Sequence, residues 1–352
     1  MAMIREIIPV LLENNDLGLD QARVAMREIM SGEATPAQTA AFLVGLKTKG
    51  ETVEEVTAMA EVMRDCSRRI SPKVSGYLLD TCGTGGDGAG TFNVSTTSAL
   101  VIAGSGMAVA KHGNRSFTSR CGSADVLESL GLNLEMSPET VELSIETLGF
   151  GFMYAPVFHP AMARVAPVRR EIGVRTVFNI LGPLTNPAGA SAQLLGVYDP
   201  CLMDLMCLAA RNLGCRSVMT VHAIDGIDEI SVTGKTLVTR LNGYGIKREE
   251  EVNPEDVGLK RARMEDISGS VPEENARLTA RILSGKTSRE DARTQMVLLN
   301  AAAGLVLCEK AVDLRDGIEL ARGTLEDGRA FELLRNVIRL SKGSVERLNR
   351  IA

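Results

Sequence analysis

Two polar loops carry the residue types from which a phosphate site is made. The first runs Asp80-Thr-Cys-Gly83-Thr84-Gly85-Gly86-Asp87-Gly88-Ala-Gly90-Thr91-Phe-Asn93-Val94-Ser95-Thr96, with five glycines within 83–90. Glycine admits positive φ and lets backbone N–H groups approach an anion closely. A helix starting near Val94 would aim its positive end at the same point, with Asn93, Ser95 and Thr96 as side-chain donors. A diphosphate or a phosphosugar needs such a place. Taken alone, the stretch also reads as a turn with an ordinary Asn cap. It does not match G-x-x-x-x-G-K-[ST], and it fits G-x-G-x-x-G poorly, so a nucleoside triphosphate and a dinucleotide are disfavoured. Asp87 suits a role holding loop N–H groups, receiving a ribose hydroxyl, or meeting the ligand through a cation.

The second loop is Lys111-His112-Gly113-Asn114-Arg115-Ser116-Phe117-Thr118-Ser119-Arg120-Cys-Gly122-Ser123-Ala-Asp125. Lys111 offers a mobile ammonium, Arg115 a planar fork, and Ser116, Thr118, Ser119 and Ser123 hydroxyl donors. By itself it reads as a solvated polar loop. Following successive strands of an open α/β sheet, both loops would open on the carboxyl edge, where ligands sit.

The elements that must position these loops follow from pattern. Residues up to about 70 read as helices: Asp20 caps one that runs to Ser31-Gly32, Thr35-Pro36 starts another that stops at Gly50, and Thr52-Val-Glu-Glu55 is a capping box. Strands are expected at 77–82, 107–111 and 150–153, with helices at about 94–104, 124–130 and from Ser137. This alternation predicts an α/β domain with a mostly parallel, mixed sheet flanked by helices, behind a small all-helical N-terminal domain. Residues 160–190 hold Pro160, Pro167, Pro183 and Pro187 among helical pieces. Strands at 217–222 and 229–232 are expected to pair through a short turn containing Asp225-Gly226. Helices return from about Glu273.

Composition bounds the function. With 352 residues, two domains are the expectation. Lys and Arg number 39 against 44 Asp and Glu, a formal charge of −5, which argues against a broad nucleic-acid footprint. Aromatics are 3% with no Trp, too few for a base-stacking platform. No run of 18 apolar residues suggests a membrane span, and the first residues read as no secretory signal. The seven cysteines form no C-x-x-C pair, so reduced thiols in the cytoplasm are expected rather than a zinc ribbon or disulfide framework.

Three stretches together carry a family likeness: GTGGDGAGTFNVST at 83–96, KHGNRSFTSRCGSADVLESLG at 111–131 and HPAMARVAPVRREIGVRTVFNILGPLTNP at 159–187. With GLKTKGETVEEV in the helical opening and DGIDEIS at 225–231, the chain resembles the anthranilate phosphoribosyltransferases over most of its length. The resemblance implies transfer of the phosphoribosyl group of phosphoribosyl pyrophosphate (PRPP) to the amine of anthranilate, a step of tryptophan synthesis. It implies that Gly83, Gly86, Asp87, Thr91, Asn93, Val94, Ser95, Thr96, Lys111, His112, Gly113, Asn114, Arg115, Ser116, Phe117, Thr118, Ser119 and Ser123 meet PRPP. Ser95, Asp228 and Glu229 would hold magnesium, two ions per subunit. Gly83, His112, Asn114 and Arg169 would meet anthranilate, with Lys111, Asn114 and Arg169 closest to the chemistry. Read alone, Asp228-Glu229 is an exposed acidic hairpin, and Arg169 a surface helix arginine. His159 and His222 read as structural.

The resemblance also implies a helical domain of residues 1–73, rejoined by about 168–190, hinged to an α/β domain of 74–167 and 191–352. It implies a homodimer through the helical part and leaves room for an anthranilate synthase or glutamine amidotransferase partner. Thr118 stands where Ser is more usual, and His222-Ala223 replaces a typical His-Gly. Two other readings are a pyrimidine nucleoside phosphorylase and a non-catalytic nucleic-acid-binding relative; the KHGNR and VRREIG stretches disfavour the first, and the acidic charge the second.

Overall fold

The computed structural model describes residues 3–86, 88–116, 120–242 and 245–352. Four helices open the chain: Ile4–Leu12 (α1), Leu19–Ser31 (α2), Pro36–Lys49 (α3) and Val53–Asp65 (α4). Their ends follow capping chemistry. The Thr35 hydroxyl accepts from Gln38 N–H at 3.2 Å and Gln38 returns a bond to Thr35 N–H, while Thr52 and Glu55 make the same reciprocal pair. Asp20 is not the cap expected for α2. Gly18 holds that place, and Asp20 lies in the first turn against Arg23. Glu55 is fully buried because Lys49 at 3.0 Å and Leu17 N–H at 2.8 Å satisfy its carboxylate.

The remaining elements alternate, then turn helical. They are Leu78–Gly83 (β1), Val94–Gly104 (α5), Ala108–Gly113 (β2), Ser123–Ser129 (α6), Pro138–Leu148 (α7), Phe150–Tyr154 (β3), Ala155–Phe158 (α8), Met162–Ile172 (α9), Phe178–Leu184 (α10), Ala192–Gly196 (β4), Met203–Asn212 (α11), Ser217–Ala223 (β5), Thr236–Asn242 (β6), Gly245–Val252 (β7), Pro272–Leu283 (α12), Ala292–Leu307 (α13), Leu314–Glu326 (α14), Arg329–Leu340 (α15) and Val345–Ile351 (α16). The sheet order is β3-β2-β1-β4-β5-β6-β7. Pairing is parallel from β3 to β5 and antiparallel for β5-β6-β7, so the sheet is mixed and mostly parallel.

Strand order reverses between β1 and β4. The loops after β1 and β4 diverge to opposite faces there and leave a crevice at the carboxyl edge. The expected strand at 229–232 is absent: the antiparallel partner of β5 is β6, and residues 224–235 form an irregular connection. Tertiary bonds hold that connection instead of a ladder. Asn300 of α13, 1% exposed, accepts from Ile230 N–H at 3.0 Å and donates to its carbonyl at 2.8 Å.

The described residues form two buried apolar cores. One lies around the sheet with α5–α7 and α12–α16. The other joins α1–α4 to Val165, Val177, Phe178, Ile180, Leu181 and Leu184, and to α11. Arg64 of α4 ties the second together, donating to the carbonyls of Leu184 and Leu213 at 2.8 Å each. Among the described residues, no helix is long and apolar enough to cross a membrane.

Candidate active site

Three loops meet at the carboxyl edge of the sheet, after β1, β2 and β5. Asp228 lies over the glycine loop, where its Oδ2 accepts from Gly85 N–H at 2.8 Å. A Cβ on Gly83 would overlap the Asp228 carboxylate, and one on Gly196 would overlap its backbone carbonyl. Both glycines therefore make room for this acid. Glu229 Oε1 accepts from Ser95 N–H at 3.0 Å, so a carboxylate sits at the positive end of α5. The N–H groups that read as an anion cradle thus already face two carboxylates. A diphosphate arriving there meets like charge, and a divalent cation between them makes the approach favourable.

The donor set fits magnesium. Asp228, Glu229 and the Ser95 hydroxyl are hard oxygen ligands, and among the described residues no group of three Asp, Glu, His or Cys forms a protein cage. Magnesium is commonly held by one or two carboxylates with waters and substrate phosphates completing its shell.

Lys111 is not the mobile ammonium expected from the loop. It is 2% exposed, and its Nζ donates to the Thr81 carbonyl and to Ser95 Oγ at 3.3 Å. Burial pushes its pKa down, opposed by Asp80, Cys82 and Glu229. Asp80 is pushed up by burial and restrained by Lys111. Its carboxylate accepts from Asn186 Nδ2 at 2.7 Å and from His112 N–H at 3.3 Å, anchoring the start of the second loop.

Asn93 does not cap α5 with its side chain. Its Nδ2 donates to the Cys121 carbonyl at 3.1 Å, and its Oδ1 accepts from Asn275 at 3.0 Å, so it binds the first loop to the second. Thr91 bridges to Ser268. Val94 N–H turns back to the Phe92 carbonyl at 2.7 Å, and Thr96 is buried. Arg115 does not offer its fork to a ligand: the guanidinium grips Glu128 at 2.7 Å and Asp125 at 3.0 Å. Asp125 also takes Ser116 N–H and Gly122 N–H at 2.9 Å each, and these bonds hold its pKa down. The acid that shapes this loop was not singled out in sequence, although it lies where a helix-start Asp is common. Ser123 Oγ donates to the Asn114 carbonyl at 3.2 Å and packs where a Cβ on Gly113 would stand. Asn114 Oδ1 accepts from Arg115 N–H at 2.8 Å. Asp87, Phe117, Thr118 and Ser119 lie outside the described residues.

His112 packs on His159, with ring centroids 4.9 Å apart. His159 stands just before α9, whose last turn carries Arg169. The Arg169 guanidinium lies 5.3 Å from the Phe178 ring centre, and among the described residues no carboxylate pairs with it. Burial pushes its pKa down. A half-buried guanidinium without an acid partner is ready for a ligand carboxylate.

Burial pushes the His159 pKa down to about 4, and His112 shifts the same way. The unfolded ring titrates near 6.5, so between pH 4 and 6.5 the unfolded chain binds more protons. Stability is therefore expected to be full above about pH 6.5 and to fall as pH drops towards 4, by on the order of 3 kcal/mol from His159. Urea midpoints at pH 7 and pH 5 measure this. His159→Gln should flatten the difference, and an equally steep dependence in that variant would exclude His159 as its source.

The description "Glycosyl transferase family, helical bundle domain" fits residues 5–67, and "Glycosyl transferase family, a/b domain" fits 75–331. An anthranilate phosphoribosyltransferase of Symbiobacterium thermophilum is 51% identical over 333 residues, covering 95% of both chains. One from Roseiflexus sp. is 49% identical over 340 residues, covering 97% of this chain and 98% of its own. The crystal structure of the Thermus thermophilus enzyme of that name superposes with a TM-score of 0.89 at 46% identity, covering 95% of this chain and 99% of its own. The Saccharomyces cerevisiae enzyme, solved in complex with PRPP and Mg, also superposes with a TM-score of 0.89, at 28% identity and with 96% and 98% covered.

Proposed function

Since the chain belongs to the anthranilate phosphoribosyltransferase family, we propose that it transfers the phosphoribosyl group of PRPP to the amine of anthranilate, releasing pyrophosphate, in tryptophan biosynthesis. The observation that carries this reading is the pairing of Asp228 and Glu229 with the N–H groups of Gly85 and Ser95. It makes a phosphate cradle that needs a cation.

Asp228, Glu229 and Ser95 would hold magnesium, which when bound neutralises and orients the leaving pyrophosphate. The family resemblance assigns PRPP binding to Gly83, Gly86, Asp87, Thr91 and Asn93–Thr96 of the first loop and to residues 111–119 with Ser123 of the second; of these, Lys111, Thr96 and Arg115 would act through the loops they hold. As the C1–O bond breaks, the ribosyl carbon becomes cation-like, and the acceptor amine attacks with its own lone pair. No enzyme nucleophile is needed, so the residues act by position and charge. Arg169 takes the anthranilate carboxylate, beside Gly83, His112 and Asn114. Buried Lys111 acts by holding Ser95 and the β1 edge, with its charge close behind the phosphate site.

The helical body comprises residues 1–73 and about 168–190, and the α/β body 74–167 and 191–352. The packing of Phe178, Ile180, Leu181 and Leu184 with α1–α4 supports the return of 168–190 to the helical body, and the same core runs on into Val165, Leu195, Val197, Val218 and α11 of the α/β body. A hinge between the bodies would exclude water that otherwise hydrolyses PRPP. Met3 just before α1, Leu12 of α1 and Val44 of α3 are exposed apolar residues, and a homodimer through the helical part rests on the family resemblance. All seven cysteines are free thiols, which supports a reducing, cytoplasmic setting. A complex with an anthranilate synthase or glutamine amidotransferase rests on the family resemblance, as does the count of two ions per subunit. Loss of anthranilate fluorescence on adding PRPP and magnesium tests the activity. Turnover of thymidine with phosphate, with none of anthranilate, would overturn it in favour of a nucleoside phosphorylase.

A further inference from the structure

We infer that Arg175 is a positioning residue that latches the glycine loop to the chain segment carrying the anthranilate arginine. The inference rests on the proposed reaction. Arg175 lies in the turn between α9 and α10, just after the helix that bears Arg169. Its Nη2 donates to the Gly86 carbonyl, and its guanidinium stands 4.1 Å from the centre of the Tyr198 ring. Among the described residues no carboxylate pairs with it.

Tyr198 completes the latch from below. Its N–H donates to Thr84 Oγ1 at 3.0 Å, and Thr84 N–H donates to the Gly196 carbonyl at 2.9 Å. The loop is thus held at Thr84 by the strand end, at Gly85 by Asp228 and at Gly86 by Arg175. Such ties are needed because Gly85 and Gly86 both take positive φ, 67° and 73°, and a run of glycines gives the backbone wide freedom that must be given up to form a cradle. Ordering the loop before the ligand arrives removes that cost from binding. The cation–π stack sets where the guanidinium points, and the bond to the Gly86 carbonyl transmits it to the loop.

The effect falls on PRPP affinity and leaves the chemical step alone. Arg175→Ala is expected to raise the KM for PRPP roughly tenfold, with kcat and the KM for anthranilate within about twofold. Arg175→Lys keeps a donor but loses the flat stack, and should fall between. Tyr198→Phe should match the wild type, because the ring and the backbone N–H remain, while Tyr198→Leu should behave as Arg175→Ala. Calorimetric titration of each folded variant with PRPP and magnesium, without anthranilate, reads the same affinity independently of turnover. A wild type that binds PRPP yet does not consume anthranilate would defeat the proposed reaction and leave the latch testable by that titration. An Arg175→Ala protein with unchanged PRPP affinity, or with both KM values raised equally, would overturn the latch. If Arg175→Ala does not fold, Tyr198→Leu against Tyr198→Phe decides by the same two readings.

Discussion

Replacing Asp228 and Glu229 together by alanine is expected to lower kcat roughly 100- to 1000-fold at ordinary magnesium, the range seen when one preorganised electrostatic group is removed from an active site. The two acids do separate local work. Asp228 answers Gly85 N–H at 2.8 Å, and Glu229 answers Ser95 N–H at 3.0 Å at the start of α5. Without them the N–H groups stay available to phosphate, but nothing on the protein draws the metal that stabilises the departing pyrophosphate. The expected signature is therefore a shifted magnesium dependence as well as slower turnover. Asp228→Asn separates the two parts, since its amide oxygen still accepts from Gly85 N–H while the charge is gone. Its half-saturating magnesium concentration should rise about tenfold, as for loss of one charge-assisted contact, with a wild-type melting temperature. A magnesium titration of the double variant that superposes on the wild type would remove these residues from the metal site.

Arg169→Ala should raise the KM for anthranilate roughly ten- to a hundredfold, because one charge-assisted bond is worth about 1.5–3 kcal/mol. The KM for PRPP should stay within about twofold. The geometry favours a large effect: the guanidinium is half-buried over Phe178, and among the described residues it has no acid partner to reward its desolvation. Arg169→Lys should recover only part of the loss, because an ammonium lacks the planar fork that matches a carboxylate. Equal KM values for both substrates in Arg169→Ala and wild type would show that another group receives the carboxylate.

Local chemistry made much of the fold readable. The Thr35-Pro36 helix start, the capping box at Thr52, glycine stops at Gly32 and Gly50, and short apolar runs marked the helical opening and the strands β1, β2, β3 and β5. The strand β4, Ala192–Gly196, had no comparable mark. It is central and buried on both faces, so it lacks the polar alternation that reveals a strand, and its Gln193 donates to the Pro183 carbonyl and accepts from the Cys215 thiol. The stretch 229–232 carried strand-like residues, yet α13 and the glycine loop compete for its backbone and side chains.

In the site, sequence by itself determined the kinds of groups present: glycine N–H donors ahead of a helix, a basic hydroxyl-rich loop, an acidic pair and an arginine. Those follow from composition over a few neighbouring residues, where spacing alone sets what the backbone and a helix end can do. Only tertiary structure decided which of them work on a ligand and which on each other. Arg115 is spent on Asp125 and Glu128, Lys111 is buried under Ser95, Asn93 staples two loops, and Arg175 reaches the glycine loop from a distant turn. Partner choice among charged and polar side chains depends on distance and burial in space, because both set the strength of an electrostatic contact, and neither is written in the local order of residues.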